Sequence, residues 1–271
     1  MNKLLLGVLF IVFLGSCGSS SSSEHSALNL NDLYREHRVQ GCFLLKSLNS
    51  GQLYVYNSDR CEEGFLPAST FKIPNSIIAL ETGIAADENL VIPWDSIPRK
   101  VPSWNQDHTM QTAFQASCVP YYQEIARRIG ATRMQEWVHK LQFGRMDIRN
   151  ENLTNFWLKG KSRITPYGEL DFIERLVTDK LPIKPSTTHK IKTIMTIASD
   201  SSGMVMRGKT GWAVDGNRNI GWFVGAIERP DGERFVFVNN VEAKVGTIRN
   251  EDFMMSRKNI VGKVLGSLGV I

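Results

Sequence analysis

The chain has 271 residues, of which 42% are hydrophobic and 22% charged, a balance typical of a folded globular protein and not of a disordered one. Its formal net charge is +5, but the basic residues are scattered among acidic ones without a long block, which excludes a nucleic-acid-binding stripe. No C-x-x-C, H-E-x-x-H, G-x-G-x-x-G or phosphate-loop motif occurs, and the five histidines form no spaced set, so we expect no metal site.

The first 17 residues have the form of an export signal. A basic start is followed by the uncharged apolar residues 4–14, a stretch too short for a membrane span. Leu14-Gly15-Ser16-Cys17 resembles the bacterial lipobox, in which cleavage leaves Cys17 as the lipid-carrying N-terminus. An ordinary signal peptide cut nearby, with Cys17 incidental, is the alternative. The serine-rich residues 18–27 predict a flexible tether.

A hairpin is predicted next, with strands over 41–46 and 52–57 and a turn at Asn49-Ser50-Gly51. Cys42 and Cys61 flank this hairpin, so we expect their side chains to lie near each other. A disulfide between them and a pair of buried free thiols are both consistent with the sequence, because the strand register is not fixed by it. Cys118 is left over and is expected to be buried.

The middle of the chain is predominantly helical by its pattern. Residues 69–80 predict a helix that tolerates Pro74 in its first turns and ends near Gly83. Four further helices are predicted from capping residues and apolar spacing. The first covers 121–129 after Pro120, and the second begins at a capping box at Thr132 and runs toward Gly144. The third begins at Thr165-Pro166 and runs through Leu176, and the fourth covers 189–198 with Ser186 as a cap.

The last third predicts strands over 204–212, 220–228 and 234–242, and then a helix over 252–268. Strands at both chain ends therefore bracket a helical middle. The predicted fold is α/β (α+β), with one antiparallel sheet built from both chain ends, flanked by helices, and an inserted all-helical lobe. The sheet lobe comprises 28–72 and 180–271 and the helical lobe 73–179, with the cleft between them.

Three short motifs could meet at that cleft. Ser69-Thr70-Phe71-Lys72 places a hydroxyl and an amine on one helix face, and a serine becomes a strong nucleophile when an adjacent base removes its proton. Ser117-Cys118-Val119 lies in a turn and Lys209-Thr210-Gly211 on a strand. Each motif alone is more often a cap, a turn or a strand edge. Together, in this order, they form the signature of serine acyl-transferases that attack β-lactams or peptidoglycan stems.

The residues around these motifs resemble the class D β-lactamases, the oxacillinase family, from about Asn31 to the C-terminus. A class A enzyme would have S-D-N at Ser117-Cys118-Val119 and a glutamate in E-x-x-L-N, and neither is present. The resemblance identifies 28–271 as a β-lactamase domain. It is carried by five stretches: Phe65 to Ser76, Ser117 to Pro120, Phe156-Trp157-Leu158, Lys209 to Trp212, and Gly221 to Gly225.

The resemblance implies that Lys72 is carboxylated by carbon dioxide to N6-carboxylysine and acts as the base in both half-reactions, with no metal or organic cofactor. Only the neutral amine reacts with carbon dioxide, and burial favours the neutral form of a lysine. Phe71, Val119 and Trp157 are expected to form the apolar carbamate pocket, with the Trp157 indole N–H bonded to the carbamate. The alternative for Trp157 is a core aromatic under a loop.

The family's other site residues map onto matching positions. Ser117 is implied to relay a proton to the departing lactam nitrogen, with Lys209 acting on the electrostatic potential around it. Thr210, next to Gly211, and Arg257 are implied to hold the substrate carboxylate. Arg249 is the alternative to Arg257.

The oxyanion is expected to form against the backbone N–H groups of Ser69 and Trp212. The chain departs from the family's Y-G-N run, having Phe143-Gly144-Arg145 instead, which puts the hydrogen bonding at the cleft rim in question.

The predicted partners are small-molecule β-lactams, with no nucleic acid and no membrane contact except the lipid anchor. We expect a periplasmic enzyme, monomeric or homodimeric, that gives antibiotic resistance. Two rival functions stay open. One is a penicillin-sensing receptor domain that acylates without turnover; such receptors follow several membrane spans, whereas an N-terminal signal is predicted here. The other is a peptidoglycan transpeptidase or carboxypeptidase, which would not need Trp157 beside the lysine.

Overall fold

The computed structural model describes residues 29–271. The predicted signal peptide (1–17), Cys17 and the tether (18–27) lie outside the described residues. Between residues 29 and 271, no helix combines the length and the apolar character that crossing a membrane requires.

One antiparallel sheet organises the described chain. Its six strands are arranged in the order β2-β1-β6-β5-β4-β3. The first strand pairs with the last one, so that Phe43 lies opposite Asn239, and this confirms a sheet built from both chain ends. The strands are β1 (Gln40–Ser47), β2 (Leu53–Tyr56), β3 (Thr196–Ser199), β4 (Val205–Asp215), β5 (Arg218–Glu228) and β6 (Arg234–Lys244).

Helices cover both faces of this sheet. The α-helices of the described residues are α1 (Leu30–Glu36), α2 (Ser58–Cys61), α3 (Lys72–Glu81), α4 (Met110–Gln115), α5 (Val119–Ile129), α6 (Ala131–Leu141), α7 (Pro166–Val177), α8 (Pro185–Met195) and α9 (Asn250–Ser267). Single 3-10 turns lie at Ala68–Phe71, Pro102–Trp104 and Asn150–Asn152.

The pleat of the strands divides the core into two layers. Successive side chains of a strand point to opposite faces, and Leu44 packs with the helical middle of the chain whereas Phe43 and Leu45 pack with α1 and α9. The strand β5 is buried along nearly its whole length because both of its faces are covered. The helix α7 packs against β1, β5 and β6, so this part of the predicted helical lobe is in contact with the sheet.

Among the element boundaries that differ from the sequence prediction, two have a clear physical cause. The helix α6 begins at Ala131 with Gly130 as its N-cap, so the capping box predicted at Thr132 is wrong. Gly130 has a φ of +81° and both ends α5 and starts α6, which leaves no separate cap position. The predicted helix over 189–198 is also wrong at its end, because Thr196–Ser199 pairs with β4 as an edge strand.

The three cysteines of the described residues are buried free thiols. Cys42 in β1 and Cys61 at the end of α2 form a hydrogen bond with each other, which together with burial raises the pKa of the Cys42 thiol. Of the two alternatives left by the sequence, the structure therefore contains the pair of free thiols.

Candidate active site

The serine of the S-x-x-K motif lies on a turn of unusual backbone geometry. Ser69 belongs to the 3-10 turn Ala68–Phe71, which leads directly into α3. Ala68 has a φ of +52°, a left-handed conformation that is uncommon for a residue with a Cβ. The Ala68 N–H donates to the Trp157 carbonyl at 2.8 Å, and the Trp222 indole donates to the Leu66 carbonyl at 2.8 Å. These contacts fix the turn to the segment that contains Trp157 and to the strand β5.

The amine of Lys72 reaches the hydroxyl of Ser69. Lys72 Nζ lies 2.9 Å from Ser69 Oγ, as the three-residue spacing predicted. The Lys72 side chain is 1% exposed, and burial lowers its pKa to about 7, although Cys118 opposes this shift slightly. A large fraction of Lys72 is therefore neutral near pH 7, where a solvated lysine would be charged. A neutral amine at this distance can accept the serine proton.

Aromatic rings form the wall beside Lys72. The Phe71 ring stacks on Trp157 at 5.7 Å and meets Phe156 edge to face at 4.7 Å. The Tyr122 ring centroid lies 5.2 Å from Lys72 Nζ. No carboxylate within residues 29–271 forms an ion pair with Lys72, so the surround is dry and apolar.

The indole nitrogen of Trp157 is buried and has no hydrogen-bond partner within the described residues. Buried N–H groups without a partner are rare in native proteins, so this donor marks a place where an acceptor fits. Val119 is the first residue of α5 and is half-buried. Its neighbour Cys118 is near enough to Lys72 to influence the lysine pKa.

Ser117 lies in the turn between α4 and α5 and has a φ of +52°. Its backbone N–H donates to the Phe114 carbonyl at 3.1 Å. The Phe114 ring centroid is in turn 5.5 Å from Lys209 Nζ. The predicted S-x-V turn and K-T-G strand therefore meet through this phenylalanine.

The K-T-G run lies on β4, against the serine turn. Lys209 is 5% exposed, and its Nζ donates to the Thr210 carbonyl at 3.0 Å. Burial lowers its pKa well below the ordinary value, and the protonated fraction of Lys72 and the charge of Arg257 lower it further. A Cβ on Gly211 would come within 3.2 Å of Ser69 N and of Pro67 O. The glycine thus allows the strand to approach the backbone of the nucleophile closely.

The structure brings Arg257, and not Arg249, to this strand. Arg257 extends from α9, and its guanidinium donates to the Gly211 carbonyl at 2.6 Å. Burial lowers the Arg257 pKa to about 10. Arg249 is exposed and forms an ion pair with Asp252 at 2.8 Å. Trp212 is half-buried, and its indole donates to Asn219 at 3.0 Å.

The run Phe143-Gly144-Arg145, which departs from the family's Y-G-N, has two side chains in different environments. Phe143 is fully buried and contacts Phe71 edge to face at 5.8 Å, so it extends the aromatic wall. Arg145 is exposed, and its backbone N–H donates to the Arg163 carbonyl at 2.8 Å. The long cation therefore lies outside the aromatic wall, at the surface.

Sequence reasoning missed three residues that contact this machinery. Tyr122 lies under the lysine amine, and its position three residues after Val119 on the same helix face was the signal that could have found it. Thr70 and Glu169 form a buried pair directly behind Ser69. The signal for Glu169 was an acid at an apolar position of the stripe along 166–177.

No group of three or more histidine, cysteine or acidic side chains that could bind a metal ion occurs between residues 29 and 271. The arrangement present is a serine, a neutral amine, a buried second lysine and an arginine, which suits acyl transfer to a substrate that carries a carboxylate.

Comparison with known proteins gives a consistent result. Residues 21–265 match the penicillin-binding-protein transpeptidase domain family. The β-lactamase OXA-48 of Klebsiella pneumoniae is 38% identical over 241 residues, which is 88% of this chain and 90% of that protein. The crystal structure of the class D β-lactamase YbXI from Nostoc matches with a TM-score of 0.83 and 36% identity, covering 89% of this chain and 99% of the other. The class D β-lactamase from Sebaldella termitidis matches with a TM-score of 0.84 and 30% identity, covering 91% and 98%.

Proposed function

Because this chain belongs to the class D β-lactamases, serine hydrolases that act on the β-lactam amide bond, we propose that it hydrolyses β-lactam antibiotics through an acyl-enzyme on Ser69 and thereby gives resistance. The observation that carries the proposal is the buried Lys72 amine, 2.9 Å from the Ser69 hydroxyl. A nucleophile with its base in direct contact is the minimal device for opening a strained amide.

Acylation begins when Ser69 Oγ attacks the lactam carbonyl and its proton moves to carboxylated Lys72. The oxyanion is stabilised by the backbone N–H groups of Ser69 and Trp212, which are placed where negative charge develops. Ser117 relays this proton from Lys72 to the lactam nitrogen as the C–N bond breaks, giving its own hydroxyl proton and receiving one in return, and Lys209 sets the electrostatic potential around that hydroxyl. Proton transfer by positioned groups contributes on the order of 10²- to 10⁴-fold in rate.

Deacylation requires a base that activates water, and the lysine pocket fits N6-carboxylysine. Addition of carbon dioxide to the neutral Lys72 amine, with release of one N–H proton to solvent, would supply a carboxylate-like proton acceptor there. The low pKa of Lys72 keeps its nitrogen lone pair available, and the unpartnered Trp157 indole N–H is a donor for the added oxygens. Phe71, Val119 and Trp157 hold the pocket apolar, which disfavours return of the amine to its charged form.

Thr210 and Arg257 hold the substrate carboxylate. The Arg257 guanidinium already donates one bond to the Gly211 carbonyl, which fixes its orientation beside the K-T-G run. Its remaining donors suit a carboxylate, since a guanidinium fork forms two parallel charge-assisted hydrogen bonds. Gly211 lies close to Ser69 N, so a carboxylate bound beside Gly211 would lie next to the nucleophile.

Steady-state hydrolysis of a chromogenic β-lactam, with and without added bicarbonate, tests the function and separates it from its rivals. Multiple turnovers that increase with bicarbonate are expected. One stoichiometric burst followed by no further product would instead indicate a penicillin-sensing receptor domain. Slow β-lactam turnover together with cleavage of a D-alanyl-D-alanine peptide would indicate a transpeptidase or carboxypeptidase.

The proposed location is the periplasm, with Cys17 as a lipid anchor. The support is the lipobox-like run Leu14-Gly15-Ser16-Cys17 and the serine-rich residues that follow it. Mass spectrometry of the intact membrane fraction tests this proposal. A lipid-modified N-terminus at Cys17 is expected, and an unmodified N-terminus beyond it would reject the anchor.

A further inference from the structure

A second buried acid–base pair lies behind the nucleophile. Glu169 on α7 is 0% exposed, although acidic side chains are almost never fully buried without an ionic partner. Its Oε1 lies 2.5 Å from Thr70 Oγ1, on the residue that follows Ser69. Its Oε2 has no hydrogen-bond partner within the described residues.

The hydrogen-bond pattern around Thr70 indicates which group carries the proton. Thr70 Oγ1 lies 2.7 Å from the Pro67 carbonyl as well as 2.5 Å from Glu169. The carbonyl can only accept, and the threonine hydroxyl has a single proton. If Thr70 donates to Pro67, the bond between Thr70 and Glu169 must be donated by Glu169, which is then a neutral carboxylic acid.

An ionised Glu169 fits this environment poorly. The carboxylate would take the Thr70 proton away from Pro67, and its second oxygen would be a charged acceptor without a partner in an apolar interior. Burying a charge without a partner costs far more free energy than burying a neutral carboxyl group.

The Pro67 carbonyl connects this pair to the nucleophile. It accepts bonds from both the Thr70 backbone N–H, at 3.2 Å, and the Thr70 hydroxyl, and so it closes the turn that contains the left-handed Ala68. The next residue is Ser69, whose backbone N–H is a proposed oxyanion donor. A strained turn persists only where the surrounding contacts hold it.

We propose that Glu169 is a positioning residue for acylation, kept as a neutral carboxylic acid that donates its proton to Thr70 and thereby holds the turn that presents Ser69. Ionisation of Glu169 removes the Thr70 bond to Pro67 and loosens the turn. Because the rate readout is acylation by a β-lactam, this inference rests on the proposed function.

Burial raises the pKa of Glu169 to about 8, against a smaller opposing effect of the Thr70 hydrogen bond. No charged neighbour contributes to this shift. The helix α7 and the elements packed against it and the serine turn carry ionisable side chains, and none of them is among its causes: Cys42 and Lys46 on β1, Asp59, Arg60 and Cys61 on α2, Lys72 and Glu81 on α3, Tyr167, Asp171, Glu174 and Arg175 on α7, His189, Lys190 and Lys192 on α8, Arg207, Lys209 and Asp215 on β4, Arg218 and Glu228 on β5, and Arg234, Glu242 and Lys244 on β6.

The direction of the pH effect follows from this pKa. The folded-state value lies above the unfolded value of about 4.3, so the stabilisation from a neutral Glu169 is complete below about pH 4 and is lost as the pH rises to about 8. A glutamine cannot ionise. The difference in melting temperature between Glu169→Gln and wild type should therefore shift in favour of the variant as the pH rises from about 4 to about 8, and it should stay constant at higher pH.

The main experiment measures the acylation rate of a chromogenic β-lactam from about pH 6 to about pH 10. Glu169→Gln keeps a donor for Thr70, Glu169→Met has the same length without one, and Glu174→Gln is a control on the same helix that removes only the Lys46 ion pair. We expect wild type and Glu174→Gln to lose about tenfold in rate per pH unit above pH 8. Glu169→Gln should match wild type at pH 7 and lack this decline, and Glu169→Met should be slower at every pH.

An alkaline decline in Glu169→Gln equal to that of wild type would overturn the inference, and so would equal rates for Glu169→Met and Glu169→Gln at pH 7. Titration of Lys72 is common to all the variants, so only the difference between them counts. Absence of acylation in wild type would reject the proposed function alone. The inference is then still tested by infrared spectroscopy of wild type, which should show a protonated carboxyl band at pH 7 that is lost above about pH 9. Absence of that band at pH 7 would overturn it.

Discussion

Two buried lysines lie in the cleft, and their surroundings differ. Lys72 and Lys209 are 1% and 5% exposed, and burial lowers the pKa of both. Lys72 is surrounded by aromatic rings and contacts the Ser69 hydroxyl. Lys209 lies near the positive charges of Arg257 and Lys258 and near the protonated fraction of Lys72, and its amine donates to a backbone carbonyl.

The difference shows that burial alone does not assign a role to a lysine. An apolar pocket with no carboxylate partner among residues 29–271 keeps a large fraction of Lys72 neutral and able to accept a proton or to react with carbon dioxide. A cluster of cations around Lys209 is a site that an anionic substrate group would stabilise, because an opposite charge restores the protonated form of a lysine. The pocket around Lys72 suits proton transfer and carbon dioxide uptake, and the surroundings of Lys209 suit recognition of a carboxylate.

The largest expected effect comes from removing the Lys72 amine from its apolar pocket. Lys72→Ala should lose both acylation and deacylation, by on the order of 10²- to 10⁴-fold each, because one group serves as the base in both steps. Stopped-flow acylation and steady-state turnover measure the two steps separately. Normal acylation by this variant would show that the shared-base mechanism is wrong.

The same substitution also separates the two lysines chemically. Carbon-13 NMR after addition of labelled bicarbonate should give a carbamate signal in wild type and in Lys209→Ala, and none in Lys72→Ala. A signal that depended on Lys209 instead would reverse the assignment of the two regions.

A smaller effect is expected from removing the indole N–H of Trp157, which has no hydrogen-bond partner among residues 29–271. Trp157→Phe keeps a ring to stack on Phe71 but removes the N–H, and a hydrogen bond to a charged group contributes about 1.5–3 kcal/mol. The bicarbonate concentration for half-maximal turnover should therefore rise about 10- to 100-fold. Turnover measured across a bicarbonate series checks this, and an unchanged midpoint would indicate that Trp157 is only a packing residue.

In the cationic region, Arg257→Ala should raise KM for a β-lactam about 5- to 30-fold with little change in kcat, because a charge-assisted contact to the substrate carboxylate is lost. Arg249→Ala is the matched control, since its guanidinium is exposed and paired with Asp252, and it should leave both constants unchanged. A KM increase in the Arg249 variant equal to that in the Arg257 variant would contradict the assignment.

The smallest expected effect is on the pH dependence of carbon dioxide uptake. With a Lys72 pKa of about 7, the neutral fraction falls about fivefold between pH 7 and pH 6 and rises about twofold between pH 7 and pH 8. Reactivation of bicarbonate-depleted enzyme, at constant dissolved carbon dioxide, should follow these ratios. A rate that rose steadily to pH 10 would indicate an ordinary solvated lysine.

The same low pKa links Lys72 to stability. Its folded-state value is below the unfolded value of about 10.4, so the stability due to neutral Lys72 is present above that pH and is lost as the pH falls to about 7. The dry pocket is therefore maintained at the expense of stability at neutral pH.

Three features of the structure show what could and could not be predicted from the sequence. The contact between Ser69 and Lys72 was predictable because three-residue spacing along a helical turn is local geometry. The pairing of the first strand with the last followed from strand patterns at both chain ends. The sequence pattern predicts helix through Ala198, whereas Thr196–Ser199 is an edge strand, because its strand conformation comes from pairing with β4 and not from its own propensity.

The sequence by itself determined the three motifs, the sheet built from both chain ends, and the serine–amine pairing, because each depends on short-range spacing or on repeating polarity. Only the tertiary structure brought Arg257, and not Arg249, to the K-T-G strand, placed Tyr122 under the lysine, left the Trp157 indole without a partner among residues 29–271, and put Glu169 behind the nucleophile. These facts depend on which distant segments exclude water from which side chain. The free energy of a buried polar group is set by those neighbours, and sequence spacing does not encode them.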